Sequence, residues 1–571
     1  MTRHRGCYVK NGSLNMVVAM FLGIVLASAL MSETGLLSRH GGIACCMGSL
    51  FMLLYFFSLR IYSVSVRVTD LFFFLLWAYI GLRTEGQDFY SYTTGQWISC
   101  LIIYLCCRNM YSYKTTILYV ISFFGMVEAL TGLFQYFFLP DADLMVSVAR
   151  GSFRNPGPYG CFLCLTLVCT AGLVSLKLKR MIKAVLWLSL GIQLTSILLS
   201  DSRTAWLALA VAAIYYVGCR MQRKSRLFYF LFSISGVCLF LIGLYKYKPQ
   251  SADARLFIWQ TGIRMFRQSP LVGTGTHSFA ARYMDYQAVE LSDSEDEHLK
   301  RQAANNTYAF NEFIHLSVEW GMIGLILFFG VVFSVYFHRA RDGIDRIFYY
   351  VFTAYMVICC FSYPLEVWPL SLCFPLLLGC LPGVALMKLR YSFSLQKQRI
   401  LFGTLLCLCL LYPYNHYVLH HRIVSCIDTF YHTGSPNAAN ELRRLYPRFM
   451  NEKEHLLTYG KVLHLQSDTA CVLVLQQCVA LNPTSETLCA LGETYQCRGQ
   501  YRQAEQCFMR AAAMVPGYIT PPYLLFRLYR TCGEEAKARA KACYILGMKP
   551  KVVNSLVLDI KRELKEYMKN S

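Results

Sequence analysis

The chain has 571 residues, of which 56% are hydrophobic and 15% charged, with a formal net charge of +22 and a mean hydropathy of +0.39. Soluble domains carry about 25% charged residues. The shortfall excludes an ordinary soluble enzyme and points to a polytopic membrane protein. The basic excess sits in short clusters between apolar segments, without zinc-finger spacing or an RNA-recognition motif, so no nucleic-acid partner is expected.

Hydropathy predicts about 13 spans, near 15–31, 42–59, 69–83, 96–107, 115–138, 158–176, 184–200, 203–219, 227–245, 314–337, 347–362, 366–387 and 400–418. The first follows Arg3, Arg5 and Lys10 but shows no small-residue cleavage site, so it reads as an anchor. With the N-terminus in the cytoplasm, the cytoplasmic loops carry roughly 22 Lys and Arg, against about five in the short outward loops. That parity sends residues 246–313 and everything after about residue 420 outward, to the periplasm in a bacterium. The 25 cysteines are scattered, many inside apolar runs where the thiol acts as a small hydrophobe. The C-x-x-C spacing of Cys161 and Cys164 lies inside an apolar run with no second pair to complete a zinc site, and no disulfide framework is evident.

Four outward sites carry unusual polar residues. In chain order, "ARGSFRNPGPYG" brings Arg150, Arg154 and Asn155, and "LSDSRTAW" places Arg203 between two apolar helices with Asp201 as a possible partner. In the third, "DARLFIWQTGIRMFRQSPLVGTGTHSFAARY", Arg255 opens an amphipathic stretch, "RLFIWQTGIRMF", suited to the membrane surface, and His277 follows in the loop "THSF". The fourth, "NNTYAFNEFIHLSVEWGMIG", leads Asn311, Glu312, His315 and Glu319 into a long apolar run. Each also has a structural reading, as a snorkelling side chain, a turn or a helix cap. An arginine at a helix junction in a membrane usually meets an anion or lines a cavity. Two guanidinium forks suit a diphosphate and would stabilise its charge as it leaves a polyprenyl-diphosphate donor.

After residue 420 the composition becomes soluble and helical. In "SETLCALGETYQCRGQYRQAEQCFMRAAAMVPGY" the residues Leu488, Leu491, Gly492, Tyr495, Ala504, Phe508, Ala511 and Pro516 follow the tetratricopeptide pattern. A weaker copy has Leu525, Tyr529, Ala538 and Pro550 in register, and a degenerate one ends at Pro483. Such repeats bind peptides or partner proteins on a concave face; a cap packed on the membrane domain is the alternative.

The pieces "GSFRNPGPYG", "SDSRTAWLAL", "RLFIWQTGIRMFRQSPLVGTGTHSFAARY" and "FNEFIHLSVEWGMIGLILFFG" resemble, in order and spacing, the O-antigen ligase/polymerase superfamily. The resemblance covers roughly residues 150–330, and the span count extends it over 1–420. It implies an all-α, polytopic bundle of the GT-C type over 1–420, with 246–313 as a large periplasmic loop and 421–571 as a periplasmic tetratricopeptide-like domain. It also implies a metal-independent glycosyltransferase of the bacterial inner membrane, using an undecaprenyl-diphosphate-linked glycan and no cofactor.

Arg203 and Arg255 match the two arginines that ligases keep near the donor diphosphate. Arg150, Arg154, Asn155, His277 and Asn311 are expected around the acceptor cleft. Ligases place a His before the position of Asn311, with nine residues and Gly-x-x-Gly following. Here Asn311, Gly321 and Gly324 are in place, but Phe310 stands where the His is expected. Glu312 or His315 is then the candidate base, with His277 in the "THSF" loop as a further one, unless departure of the diphosphate alone limits the rate. The acceptor is lipid A-core (a ligase), another glycan (a polymerase) or an exported protein (an oligosaccharyltransferase). A transporter or flippase with a repeat docking domain is the reading from another class.

Overall fold

The computed structural model describes residues 9–34, 45–49, 63–84, 92–139, 148–390, 415, 418–451, 453–551 and 553–570. Among the described residues the chain is all-α apart from one short ribbon. In order come α1 (Val9–Glu33), β1 (Ser63–Arg67), α2 (Val68–Arg83), α3 (Tyr92–Asn109), α4 (Lys114–Phe138), α5 (Pro156–Val174), α6 (Arg180–Leu199), α7 (Arg203–Arg220) and α8 (Arg223–Tyr247). The stretch expected as a large loop holds α9 (Pro249–Gln268), α10 (Ser278–Asp293) and α11 (Glu297–Gln302). The apolar part closes with α12 (Glu312–Tyr336), α13 (Gly343–Phe361), α14 (Trp368–Cys380) and β2 (Ala385–Arg390).

Among the described residues, seven helices are long and apolar enough to cross a membrane: Asn15–Glu33, Lys114–Phe138, Pro156–Val174, Arg180–Leu199, Phe228–Tyr247, Glu312–Tyr336 and Gly343–Phe361. Each coincides with an expected span. The expected spans at 69–83, 96–107, 203–219 and 366–387 fall on the shorter or less apolar helices α2, α3, α7 and α14. Those at 42–59 and 400–418 lie mostly outside the described residues.

The span at 366–387 needs correcting, because α14 ends at Cys380 and residues 385–390 form β2. Pro382 lacks the N–H a continuing helix needs, and Gly383 follows it. The strand pairs antiparallel with β1, Ser63 opposite Arg390. Beneath the ribbon, Asp70 caps α2 by accepting from Arg67 N (2.6 Å) and forms a buried ion pair with Arg108 (2.5 Å).

The membrane core is built where α3 packs on α14, α2 on α12, α7 on α13, and α5 on α4 and α6. Trp368, Tyr104, Tyr159 and Phe352 are among its fully buried side chains. By contrast α8 packs mainly on α7 and leaves Phe228, Phe232, Leu239 and Ile242 exposed, as lipid-facing residues are. The described cysteines are free thiols, most of them buried, as their apolar settings suggested.

The C-terminal region is a series of helices: α15 (Pro436–Phe449), α16 (Lys453–Leu465), α17 (Cys471–Leu481), α18 (Ser485–Cys497), α19 (Tyr501–Met514), α20 (Thr520–Thr531), α21 (Glu535–Gly547) and α22 (Ser555–Asn570). Neighbours pack in pairs, α16 with α17, α18 with α19 and α20 with α21. The pattern residues Leu488, Ala504, Phe508 and Ala511 are buried in these contacts. The apolar core running through α18–α22 continues into Ile258 and Met265 of α9 and Phe279, Tyr283 and Met284 of α10. The stretch expected to lie along the membrane surface is therefore also an inner layer, packed on the C-terminal helices.

Candidate functional site

Two of the expected motifs meet at the top of α5. Pro156, with its fixed φ, starts the helix at a position where no N–H is needed. Gly160 lets the Ser200–Ser202 turn come close: a Cβ there would lie 2.3 Å from Ser202 Cβ. Ser202 Oγ donates to Gly157 O (3.1 Å), so the turn that launches Arg203 is fixed against the "RNPGPYG" motif.

Arg203 then reaches across to the end of α8. Its Nη1 donates to Leu244 O (3.1 Å) and Lys248 O (3.0 Å), and its Nη2 to Ser251 Oγ (2.8 Å). Leu244 O belongs to the last turn of α8, whose carbonyls lack helical partners and attract a cation, while Lys248 O also accepts from Ala252 N as α9 begins. The expected Asp201 partner is a correction: Asp201 pairs with Lys248 instead.

Arg255 lies deeper. Among the described residues its one hydrogen bond runs from Nη1 to Phe361 O (2.9 Å), leaving most of its five N–H groups for a ligand. Its guanidinium stands over the Phe310 ring at 5.4 Å from the centroid. Burial pulls its pKa below the ordinary arginine value, and the nearby Arg203 charge acts in the same direction. Both arginines line an open cleft of about 660 Å³, whose other walls include Leu207, Leu241, Leu244, Leu256, Trp259 and Phe361. The cleft is thus apolar with two cations at its edge, against the lipid-exposed α8.

The second half of the site grows from the first turns of α12. Asn311 is the helix N-cap, its Oδ1 accepting from Ile314 N (3.1 Å). Glu312 is buried and accepts from Leu365 N (2.7 Å). His315 is buried against the Phe279 ring, with centroids 5.0 Å apart. Its Nε2 stands 3.2 Å from Glu319 Oε1 and 3.7 Å from Glu366 Oε1. Glu319 also accepts from Phe279 N (3.3 Å) at the start of α10, where His277 is the N-cap residue. Of this group, Glu366 keeps 30% of its side chain exposed, while His315 and Glu319 keep 5% each.

Phe310 adopts a left-handed backbone (φ 52°), which is strained for a bulky residue and costs about 1–3 kcal/mol. Its ring lies between Arg255 and Tyr363, meeting Tyr363 edge-on at 5.1 Å. Tyr363 also stacks on Tyr308 (4.5 Å) and accepts from Asn155 Nδ2 (3.2 Å). Asn155 is the member of its motif joined to the site. Arg154 is exposed and Arg150 half-buried on the same loop.

The segment Phe361–Glu366, between α13 and α14, is the hub that joins both halves. Phe361 O takes Arg255 and Thr204 Oγ1 (3.3 Å), Leu365 N binds Glu312, and Glu366 faces His315. Sequence reasoning missed it, along with Tyr308 and Tyr363. A signal was present in "SYPLEVWPL": one acid between two apolar segments, where an unpaired carboxylate would be costly.

A break in α12 holds this arrangement in place. Gly321 has φ 65° and ψ −165°, a conformation open to glycine alone. The "SPLVGTG" segment supplies partners for the peptide groups freed there. Thr274 N donates to Val318 O (2.9 Å), Gly275 N to Glu319 O (3.0 Å), Met322 N to Pro270 O (2.8 Å) and Ile323 N to Leu271 O (3.1 Å). A Cβ on Gly273 would lie 2.3 Å from Glu319 O, and one on Gly321 2.4 Å from Leu271 O. Gly273 and Gly321, one from each motif, are therefore required by one close backbone crossing.

Fold and site define a polytopic helical membrane protein with an arginine-edged apolar cleft beside a buried acid–histidine cluster. Residues 184–329 match the family model described as O-Antigen ligase, which bears out the superfamily resemblance and supports a membrane glycan-transfer function of ligase/polymerase type. The match includes Arg203, Arg255, His277, Asn311, Glu312 and His315, and stops short of Glu366. No curated protein matches the chain.

Proposed function

We propose that the protein transfers a glycan from an undecaprenyl-diphosphate carrier to an acceptor hydroxyl on the periplasmic face of the inner membrane, without a metal. The observation that carries this is the cleft shared by Arg203 and Arg255, whose apolar walls suit a polyprenyl chain and whose cations suit a diphosphate. The N-terminus is then cytoplasmic. Residues 1–420 form the transferase domain, with 246–313 on the periplasmic side, and 421–571 form a periplasmic tetratricopeptide-like domain able to receive a protein partner.

In the proposed reaction the acceptor oxygen attacks the anomeric carbon as the bond to the diphosphate breaks. The departing electron pair passes to the diphosphate, where the arginines stabilise the charge. The hydroxyl proton goes to a carboxylate. Glu366 suits that role best, because it is the exposed member of the cluster. His315 orients it, and Glu319 in turn holds His315. Glu312 fixes the backbone of the Glu366 loop, a positioning role in place of the base expected for it. His277, Asn155, Asn311, Arg150 and Arg154 border the acceptor side.

Arg203→Ala in purified protein with an undecaprenyl-diphosphate glycan donor tests the clamp; an unchanged transfer rate would sink it. The acceptor class is read from the surface glycans of a deletion strain. Loss of all polymer from lipid A-core means a ligase, attachment of single repeats means a polymerase, and underglycosylated proteins mean a protein transferase. The family match favours transfer over the transporter reading.

A further inference from the structure

A second cleft lies on the other side of Arg255. It encloses about 580 Å³ and is lined by Ser251, Arg255, Gln302, Asn306, Phe310 and Lys551, among others. Where the first cleft is almost wholly apolar, this one mixes polar and apolar groups. It holds two cations, and among the described residues that line it none carries a carboxylate. Two desolvated cations facing one cleft repel each other unless an anion joins them.

Lys551 comes from the C-terminal region. Its Nζ donates to Gln302 O (2.8 Å) and its backbone N–H to Gly517 O (3.0 Å), which directs the side chain to the loop side. Burial holds its pKa below the ordinary lysine value. The two regions are tied around the cleft by Gln287 Nε2 to Met514 O (2.7 Å), Ser485 N to Asn305 Oδ1 (3.2 Å) and the two-pronged Arg510–Asp285 pair (2.8 Å for each bond). The cleft is incomplete without the C-terminal helices.

We propose that this cleft binds an anionic sugar of the glycan acceptor, a uronate or a sugar phosphate, with Lys551 and Arg255 on the acid group, Gln302 and Asn306 beside the hydroxyls and the Phe310 ring as an apolar wall. This rests on the transfer reading above and adds the acceptor's chemistry to it. It also gives the Phe310 position a use: an aromatic surface at the junction of donor and acceptor clefts.

The test is calorimetric titration of the full-length chain in detergent with three probes: trigalacturonate, glucose 6-phosphate and neutral maltotriose. One of the acidic probes is expected to bind at least about tenfold more tightly than maltotriose, since charge-assisted hydrogen bonds contribute on that scale; the tighter one identifies carboxylate or phosphate. Lys551→Ala and Lys551→Met are expected to remove that preference and Lys551→Arg to restore it, with the melting midpoint of each variant confirming its fold. Equal binding of all three probes, or acidic selectivity surviving in the folded Ala and Met variants, overturns the proposal. Transfer activity is measured separately on the unaltered chain. Transfer without acid selectivity overturns the cleft alone. Acid selectivity in a chain unable to transfer supports the cleft and overturns the transfer reading.

Discussion

Arg203 and Arg255 are anchored by backbone carbonyls and a serine hydroxyl of neighbouring elements, whereas Glu312, His315, Glu319 and Glu366 are anchored by one another and by backbone N–H groups. The difference decides what each half is free to do. A carbonyl holds a guanidinium without cancelling its charge, so the positive half still attracts an anion. In the negative half Glu312, His315 and Glu319 are buried against one another and the backbone, and the partly exposed Glu366 is the member left to meet a substrate.

The largest expected effect breaks the negative half at that exposed member. Glu366→Gln should lower single-turnover transfer by about 10²–10⁴-fold, the range of a general base, with donor binding retained. Glu312→Gln should cost much less turnover; if the two rates fell in the opposite order, Glu312 would be the base. On the positive half, Arg255→Ala should lower turnover by about 10²–10³-fold, as loss of one preorganised donor does. Arg255→Lys should recover part of it, since an ammonium keeps the charge but loses the fork.

Two smaller effects ask whether the scaffold or the site itself sets these rates. Gly321→Ala should destabilise the protein by about 1–3 kcal/mol or more, read as a lower denaturation midpoint in detergent, because a Cβ would meet Leu271 O at 2.4 Å. An unchanged midpoint would mean that the crossing can relax. Arg510→Ala should cost only about 0.2–1 kcal/mol, as exposed ion pairs do, and leave transfer by the membrane domain intact.

Spans and arginines were legible because hydrophobic length and isolated charge are local signals. The cluster at Glu312–Glu319 was visible too, since polar residues entering an apolar run are conspicuous. Their roles were not. Whether Glu312 or Glu366 faces the substrate depends on Leu365 N, some fifty positions away in the chain, and no local pattern encodes that pairing. Asp201 looked like the partner of Arg203 by proximity in sequence, yet the carbonyls at the end of α8 won. The ribbon of β1 and β2 escaped for a similar reason, being a pairing of two segments more than 300 residues apart in which "VALMKLR" reads as the end of a span.

A break in a transmembrane helix is usually where it bends. At Gly321 the "SPLVGTG" segment crosses the gap with four backbone hydrogen bonds, two on each side. The break is therefore a weld. The upper turns of α12, which carry Glu312, His315 and Glu319, are joined to the same piece of chain that leads into α10 and the second cleft. Motion at the site has to be accommodated elsewhere, at the Phe361–Glu366 hub or at the sparsely packed α8, and the helix whose dihedral angles look most pliable is the fixed reference for both.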